Sequence, residues 1–309
     1  MIQVRDLSKR YGDVRAVDGV SFDVREGEIY GLLGPNGAGK TTTLSILAGL
    51  LEPDDGQVLF EGVDITRNPV AVKRQLGVVP QEVALYEELT AVENLRFWGG
   101  LYGLAGDELK QAIDVILDKV GLTARADTRV KTYSGGMKRR LNLALGLVHG
   151  PRVVLMDEPT VGIDVQARVN ILDVVRAVAA SGTTVLYTTH YLEEAESLCS
   201  RIGIMDHGKV LAEGTLDELK QLLGEGEVVT VTGSFVADEA RQSMEGFESA
   251  RILSADDGRL VLTAKGNGNG AVDLLSQVLH GKLSVDGVSI QPPSLNGLFL
   301  KLTGRELRD

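Results

Sequence analysis

Residues 29–42 read Ile-Tyr-Gly-Leu-Leu-Gly-Pro-Asn-Gly-Ala-Gly-Lys-Thr-Thr, and this stretch decides the fold class of the chain. Its second part, residues 34–41, matches the pattern G-x-x-x-x-G-K-[ST] of a phosphate-binding loop between a strand and a helix. The apolar run 29–33 predicts the strand, and residues 39–50 predict the helix. Glycines let successive backbone N–H groups point at one anion, and the N-terminus of the helix adds its dipole.

The loop also supplies a cation and a metal-binding hydroxyl. We expect Lys40 to reach the β- and γ-phosphates of a nucleotide, and the hydroxyl of Thr41 to ligate Mg²⁺. A glycine-rich turn with a chance Lys-Thr pair is the alternative, which the position between a predicted strand and a predicted helix disfavours. The loop residues expected to bind the nucleotide are Asn36, Gly37, Ala38, Gly39, Lys40, Thr41 and Thr42.

Two acidic residues end a second apolar strand, which begins at Val153. A carboxylate at that edge of a parallel sheet, across from the phosphate loop, is placed to hold Mg²⁺ through a water molecule, so Asp157 is assigned to the metal. Glu158 lies one residue further and points in a different direction. It is therefore the candidate general base that polarises an attacking water molecule.

Short β-branched runs alternate with helical patterns over residues 1–223, which predicts an α/β core. Several runs are continuously apolar, as in strands that are buried on both faces of a parallel sheet. Residues 85–148 show helical patterns without a good strand and are predicted to form an inserted helical subdomain. The predicted strands are 2–7, 19–24, 28–33, 57–60, 77–79, 153–157, 184–189, 202–206 and 209–213; the predicted helices are 90–103, 107–120, 135–148, 166–181, 191–199 and 215–223.

A second domain is predicted over residues 224–309, because the pattern changes near Gly224. Its order of elements is βαββαβ, that of the ferredoxin-like split motif, and the low-information alternative is a stabilising appendage. The strands are expected at 227–234, 249–255, 259–264 and 284–291, the helices at 237–245 and 270–280, and a last helix at 294–304.

Composition excludes several classes of protein. The 309 residues suggest two domains, and Cys199, the single cysteine, excludes an intrachain disulfide and is typical of a reducing compartment. The net charge of −11 argues against wholesale binding of nucleic acid. No signal peptide is expected, and no run of about 18 apolar residues predicts a membrane span. A role at a membrane would therefore require a partner.

Taken together, these residues resemble the ATP-binding subunit of an ABC transporter over residues 1 to about 223. The resemblance implies a P-loop NTPase with a RecA-like core and an antiparallel β subdomain. Single residues of this kind would be noise, but seven motifs occur in the order of that family. They are Tyr11 with Val17, the phosphate loop, Gln81 of the Q-loop, the signature Ser134, Gly135, Gly136 and Met137, the Walker B pair Asp157 and Glu158, Asp164 of the D-loop, and the switch residue His190.

The resemblance implies a role for each motif. Tyr11 would stack on adenine beside Val17, Gln81 would ligate Mg²⁺ and sense a membrane partner, and His190 would contact the γ-phosphate and the attacking water. The signature would close on ATP held by another subunit, so that two chains sandwich two ATP molecules, in the simplest case as a homodimer. Tyr133 and Met137 depart from the usual Leu and Gln or Glu of the signature.

Residues 189–196, residues 293–305 and the C-terminal domain resemble the ABC-2-type exporters, in particular the daunorubicin-resistance-like branch. The resemblance implies an ATP-hydrolysing motor subunit that drives a separately encoded permease at the cytoplasmic face of the cell membrane. That branch commonly has acidic residues where Asn296 and Gly297 stand. An importer subunit and a soluble ABC ATPase are the alternatives, although the predicted tail is not a β-barrel and the chain has no second core or basic arm.

Three segments each have two interpretations. The apolar stripe of the last helix either covers the sheet of the tail domain or contacts a partner. Phe97, Trp98, Leu101 and Tyr102 either form a wall for a helix of the permease or belong to the core of the helical subdomain. The basic triplet 138–140 either acts at the nucleotide interface or forms a solvated helix face.

Overall fold

The computed structural model describes residues 1–223, 227–244, 250–264, 283–292 and 294–303. The chain divides into two compact units, Met1–Glu213 and Gly214–Asp309. This division lies ten residues before the predicted boundary at 223/224, because the helix α8 (Leu216–Leu223) belongs to the second unit. No helix within the described residues is long and apolar enough to cross a membrane.

The centre of the first unit is a six-stranded sheet in the order β10-β9-β3-β8-β7-β6. Its strands β3, β6, β7, β8 and β9 pair in parallel. All residues of β3, β7, β8 and β9 are buried, as their continuous apolar runs predict. The bounds are β3 Ile29–Leu33, β6 Leu76–Val79, β7 Val153–Asp157, β8 Thr184–Thr189, β9 Arg201–Asp206 and β10 Lys209–Gly214.

An antiparallel sheet in the order β2-β1-β4-β5 forms the predicted β subdomain. Its first two strands are longer than predicted, because residues 8–16 are largely polar or exposed and hide the alternation that marks a strand. Only the two residues Gly12 and Asp13 separate these strands. The bounds are β1 Ile2–Tyr11, β2 Val14–Val24, β4 Asp55–Phe60 and β5 Val63–Asp64.

The predicted helical insertion is present between β6 and β7. It consists of three helices and two short 3-10 turns, at Thr123–Arg125 and Val130–Thr132. A capping box begins the first of these helices, since Thr90 and Glu93 bond each other's backbone N–H groups. The helices of the first unit are α1 Lys40–Leu47, α2 Pro69–Lys73, α3 Ala91–Leu101, α4 Gly106–Lys119, α5 Gly135–Leu147, α6 Val165–Ala180 and α7 Leu192–Leu198.

The central sheet separates two hydrophobic clusters, which explains why its strands are apolar throughout. Val154 and Met156 of β7 point into a cluster shared with the helical insertion and α6. Val153 and Leu155 point to the other face, into a cluster shared with α1 and the antiparallel sheet. The carboxyl ends of β3, β7 and β8 consequently meet at one edge of a sheet that is fixed from both sides.

The second unit contains an antiparallel sheet in the order β12-β13-β11-β14. A helix, α9 (Ala237–Ser243), follows the first strand and packs on this sheet. These elements agree with the predicted βαββ and final β, while the predicted helix 270–280 lies outside the described residues. The strands are β11 Val228–Gly233, β12 Ala250–Asp256, β13 Arg259–Ala264 and β14 Val285–Gln291.

The last helix, α10 (Leu295–Thr303), packs within its own unit. Leu295, Leu298 and Phe299 are buried, and Leu300 contacts Val228 and Val261 of the sheet. Most of the apolar stripe therefore covers its own domain, which supports the simpler of the two interpretations. The predicted stripe consists of Leu295, Leu298, Phe299 and Leu302, and of these four only Leu302 is exposed.

Candidate active site

The phosphate loop connects β3 to α1 as predicted. Gly39 has a φ of 104°, and a Cβ atom there would lie 2.2 Å from the carbonyl oxygen of Ala16. A side chain is thus excluded at this position by both conformation and space. The N-terminus of α1 follows immediately and directs its free N–H groups toward the loop.

Lys40 is the buried cation of the site, with 4% of its surface exposed. Its Nζ atom donates hydrogen bonds to the carbonyl oxygens of Gly34 at 2.6 Å and Pro35 at 3.0 Å. The same atom lies 2.9 Å from Oε1 of Glu158. A buried ion pair therefore joins the phosphate loop to the end of β7.

Glu158 is held between two partners. Its second carboxylate oxygen, Oε2, lies 3.0 Å from Nδ1 of His190, which follows β8. Burial raises the pKa of Glu158, but the hydrogen bond from His190 and the hydrogen bond and charge of Lys40 outweigh it. The pKa falls from its ordinary value of 4.5 to about 2. Glu158 is consequently an ionised carboxylate at neutral pH, with both oxygens engaged.

Thr188 orients the two acidic residues. Its hydroxyl donates to Oδ1 of Asp157 at 2.7 Å and accepts a hydrogen bond from the backbone N–H of Glu158 at 3.0 Å. The parallel pairing of Asp157 with Thr188 makes this contact possible. Thr188 belongs to none of the predicted motifs, although its position next to Asp157 follows from the register of two predicted strands.

An open cavity of about 610 Å³ lies over the phosphate loop. It brings together most of the predicted nucleotide-binding residues with the candidate general base. The predicted residues that line it are Tyr11, Asn36, Gly37, Gly39, Lys40, Thr41, Thr42, Gln81 and Glu158. Four further lining residues, Val14, Arg15, Ala16 and His207, had no sequence signal, because they lie in turns and strand ends without a motif.

Several predicted site residues do not line this cavity. Val17 has no exposed surface and packs in the core between the two sheets, so its contact with a nucleotide stays a prediction. Ala38 is buried in the same cluster. Asp157 and His190 are buried and stand behind Glu158 and Thr188.

The signature residues are not part of the cavity either. Ser134 is the N-cap of α5, and its hydroxyl accepts a hydrogen bond from the N–H of Met137 at 3.3 Å. Gly135 is exposed, whereas a Cβ atom on Gly136 would lie 2.8 Å from the Cβ of Ala167. Gly136 is therefore fixed against α6, and the helix N-terminus formed by the signature faces solvent.

Asp164, the predicted D-loop residue, caps α6. Its Oδ1 atom accepts a hydrogen bond from the N–H of Ala167 at 2.8 Å. Its carboxylate thereby fixes the start of the helix against which Gly136 packs. It does not line the cavity.

Glu194 is a buried carboxylate that the sequence analysis did not single out. It accepts hydrogen bonds from the hydroxyls of Thr160 at 2.6 Å, Tyr187 at 2.9 Å and Thr189 at 2.8 Å. Thr160 follows the acidic pair, while Thr189 directly precedes His190. The network therefore ties the two segments that carry Glu158 and His190 to the first turn of α7.

Two guanidiniums of the basic triplet donate hydrogen bonds within the chain. Arg139 is 3% exposed, and its guanidinium donates to carbonyl oxygens of residues 80–81 and 158–159. Arg140 donates to the carbonyl oxygens of Val120 at 2.8 Å and Gly121 at 3.1 Å. The expected solvated face was wrong, because both guanidiniums are used as internal hydrogen-bond donors.

An apolar groove of about 290 Å³ lies between the core and the helical insertion. Trp98 and Tyr102 line it as the first interpretation expects, while Phe97 and Leu101 are exposed outside it. Trp98 Nε1 is buried and has no hydrogen-bond partner within the described part of the chain. The other lining residues include Ala48, Leu50, Leu76, Val78, Pro80 and Leu145.

The donors assigned to Mg²⁺ fit that ion. Thr41 and Gln81 line the cavity next to Lys40, and Asp157 lies one residue from Glu158. All three offer oxygen atoms, and Mg²⁺ prefers few protein oxygens and retains several waters. No cluster of three His, Cys, Asp or Glu side chains occurs in the described ranges.

Comparison with known proteins decides the family. A family model described as ABC transporter matches residues 17–161, and one described as ATP-binding protein DrrA1-3-like, C-terminal domain, matches residues 214–303. The linearmycin resistance ATP-binding protein LnrL of Bacillus subtilis is 42% identical over 311 residues, which cover 100% of both chains. The chain belongs to the ATP-binding subunits of ABC transporters.

A further relative and two solved structures are consistent with this family. The daunorubicin/doxorubicin resistance ATP-binding protein DrrA of Streptomyces peucetius is 38% identical, covering 100% of this chain and 94% of that protein. Among solved structures, an ATP-binding subunit of an ABC transporter is 33% identical with a TM-score of 0.66, covering 72% of this chain and 93% of that one. A dimeric cassette bound to ADP and Pi is 26% identical, with a TM-score of 0.64, covering 70% of this chain and 98% of that one.

These findings confirm three of the expectations. The fold is that of the P-loop ABC cassettes, the chain is an ATP-binding and ATP-hydrolysing motor subunit, and its relatives are those of the ABC-2-type drug-exporter branch. The domain boundary and the roles of individual residues stay predictions.

Replacing Glu158 should change how stability depends on pH. The pKa of Glu158 is lower in the folded chain, so its ion pair stabilises the fold above about pH 5 and loses this effect as the pH falls toward 2. We compare the free energy of unfolding of wild type with that of Glu158→Gln. The excess of the wild-type value should decrease by on the order of 2–3 kcal/mol when the pH is lowered from about 6 to about 3. Urea unfolding at each pH measures this difference. The exposed Glu82 supplies a control, Glu82→Gln, and a difference that stays constant with pH would contradict the assigned ion pair.

Proposed function

We propose that the cavity over the phosphate loop binds Mg·ATP and that Glu158 is the general base of hydrolysis. The observation that carries this proposal is the chain of contacts from Lys40 through Glu158 to His190, with distances of 2.9 and 3.0 Å. Lys40 and the backbone N–H groups of the loop would hold the phosphates. Tyr11, half exposed at the end of β1, would stack on the adenine.

In this proposal, the same contacts would let binding of ATP activate the base. Glu158 with a pKa of about 2 is a weak base, and Lys40 contributes to that low pKa. Phosphate oxygens that engage Lys40 would draw its charge away from the carboxylate and raise the pKa of Glu158 toward a more useful range. His190 would keep the carboxylate oriented through Oε2 while Oε1 takes the proton of the attacking water.

Thr41, Gln81 and Asp157 would hold Mg²⁺. When bound with ATP, Mg²⁺ would supply positive charge against the charge that develops on the phosphates. Asp157 is already fixed by Thr188 at 2.7 Å, so it would act through a water molecule or a small adjustment rather than from a free position.

A second copy of the chain would complete each site. The signature residues Ser134–Met137 stand outside the cavity of their own chain, and the start of α5 that they form is exposed. A head-to-tail homodimer would bring this N-terminus to the γ-phosphate held by the partner. The dimeric relative bound to ADP and Pi supports this arrangement.

The apolar groove would receive a helix of a separately encoded permease. Pro80, which directly precedes Gln81, lines this groove. Occupation of the groove would therefore be transmitted to Gln81, a predicted metal ligand. The chain would then lie at the cytoplasmic face of a membrane. Relatives named for linearmycin resistance, daunorubicin resistance and Nod factor export support export as the direction of transport.

Glu158→Gln should separate ATP binding from hydrolysis. The amide cannot accept the proton of water, so ATP turnover should fall at least 100-fold. Binding should persist, because the loop and Lys40 remain, and the dimer should accumulate with Mg·ATP. Phosphate release and light scattering measure the two effects. Turnover within tenfold of wild type, with purified protein free of other ATPases, would remove Glu158 from the role of base.

Charge placed in the groove should release the permease without stopping ATP hydrolysis. Leu50 lines the groove and is 72% exposed, so Leu50→Glu should cost little stability but disfavour an apolar partner. We expect tagged Leu50→Glu to lose the polytopic protein that copurifies with wild type from native membranes. Val115→Glu is the matched control, because Val115 is an exposed residue of the helical insertion outside the groove. Equal recovery with both variants would contradict docking in the groove.

A further inference from the structure

Arg139 is a buried cation whose acceptors are main-chain carbonyl groups. Its Nε atom donates to the oxygen of Pro159 at 2.5 Å, and Nη2 donates to the oxygen of Glu158. Nη1 donates to the oxygen of Gln81 and, at 3.4 Å, to that of Pro80. One guanidinium therefore bonds two segments that lie 58 and about 20 positions away from it in the chain.

One of these segments is strained. Glu158 has a φ of 43°, a left-handed conformation that non-glycine residues rarely adopt because it is strained. Arg139 bonds the carbonyl oxygens of Glu158 and of the next residue, Pro159, at once. The N–H of Glu158 is fixed separately by Thr188. The strained backbone is thus held from both sides, and with it the direction of the carboxylate.

The other segment carries Gln81. This residue is exposed and lines the cavity, while its own carbonyl oxygen is bonded to Arg139. Arg139 itself lies in the second turn of α5, which begins with the signature. The guanidinium is consequently the direct link among the start of α5, the backbone of Gln81 and the backbone of Glu158.

We propose that Arg139 is a positioning residue for ATP hydrolysis: it fixes Glu158 and Gln81 relative to each other and to the helix that carries the signature. This inference rests on the roles proposed above for Glu158 and Gln81. Arginine is required because its planar fork of five N–H donors spans both segments, whereas the single ammonium of a lysine does not.

The two neighbouring basic residues do not share this role. Lys138 pairs with Glu87 at 2.5 Å, and Arg140 bonds carbonyl oxygens at the end of α4. Arg140 is thus an adjacent guanidinium on the same helix with the same type of acceptor, but its contacts stay inside the helical insertion. It is the matched control for Arg139.

The test measures the rate of ATP hydrolysis and the affinity for ATP separately. In Arg139→Lys, the kcat for ATP per nucleotide-binding site should fall at least tenfold, which corresponds to about 1.4 kcal/mol of transition-state stabilisation. The Kd for ATP should change less than threefold, because Arg139 does not line the cavity. Rates are divided by the number of sites titrated with ATP, so loss of folded protein does not count as loss of catalysis.

Two further variants and wild type make each outcome decisive. Arg139→Gln, which can donate to one segment only, should repeat the loss of kcat, and it replaces Arg139→Lys if that variant does not fold. Arg140→Lys should keep kcat per site within twofold of wild type. A lower melting temperature with unchanged kcat per site in either Arg139 variant would make Arg139 a stabilising residue only and overturn the proposal. If Glu158→Gln hydrolyses ATP as fast as wild type does, the proposed function is refuted instead.

Discussion

The parallel pairing of β3, β8 and β7 is the constraint on which the active site depends. Leu33 pairs with Thr189, and Thr188 pairs with Asp157, so the residues that follow these strands emerge at one edge of the sheet. Gly34, Glu158 and His190 are those residues, and each strand is buried on both faces. A shift of one residue in either pairing would turn the Thr188 hydroxyl away from Asp157 and separate Glu158 from Lys40 and His190.

Buried charged side chains are the second feature of this edge of the sheet. Lys40, Glu158, Arg139 and Glu194 are all nearly inaccessible, and each is satisfied by several hydrogen bonds. Removing one partner would leave a desolvated charge, so these groups hold the surrounding loops in a single arrangement. The contacts of Arg139 and Glu194 are made mainly by the segments around Glu158 and His190. The scaffold thus supports the candidate catalytic residues from behind, while the cavity in front stays open to a nucleotide.

Sequence patterns predicted those features of the structure that depend on residues close together in the chain. The phosphate loop, the acidic pair after β7 and the helical insertion depend on consecutive residues or on a period within one element, and the sequence displays both. Arg139 was misread because a triplet of charges on a helix looks solvated, and its acceptors are carbonyl groups that any residue type supplies. Thr188 and Glu194 act only through contacts with other elements, which depend on strand pairing and packing rather than on a motif of consecutive residues.

The most direct test of the account is a cysteine cross-link between the two halves of the proposed site. The chain has a single native cysteine, Cys199, so Asn36→Cys and Ser134→Cys can be combined in the Glu158→Gln background with little interference. With Mg·ATP and a mild oxidant, the account predicts a disulfide-linked dimer of twice the chain mass, absent without nucleotide and absent with either cysteine alone. A protein that binds ATP under these conditions yet yields no cross-linked dimer would contradict a site completed by a second copy of the chain.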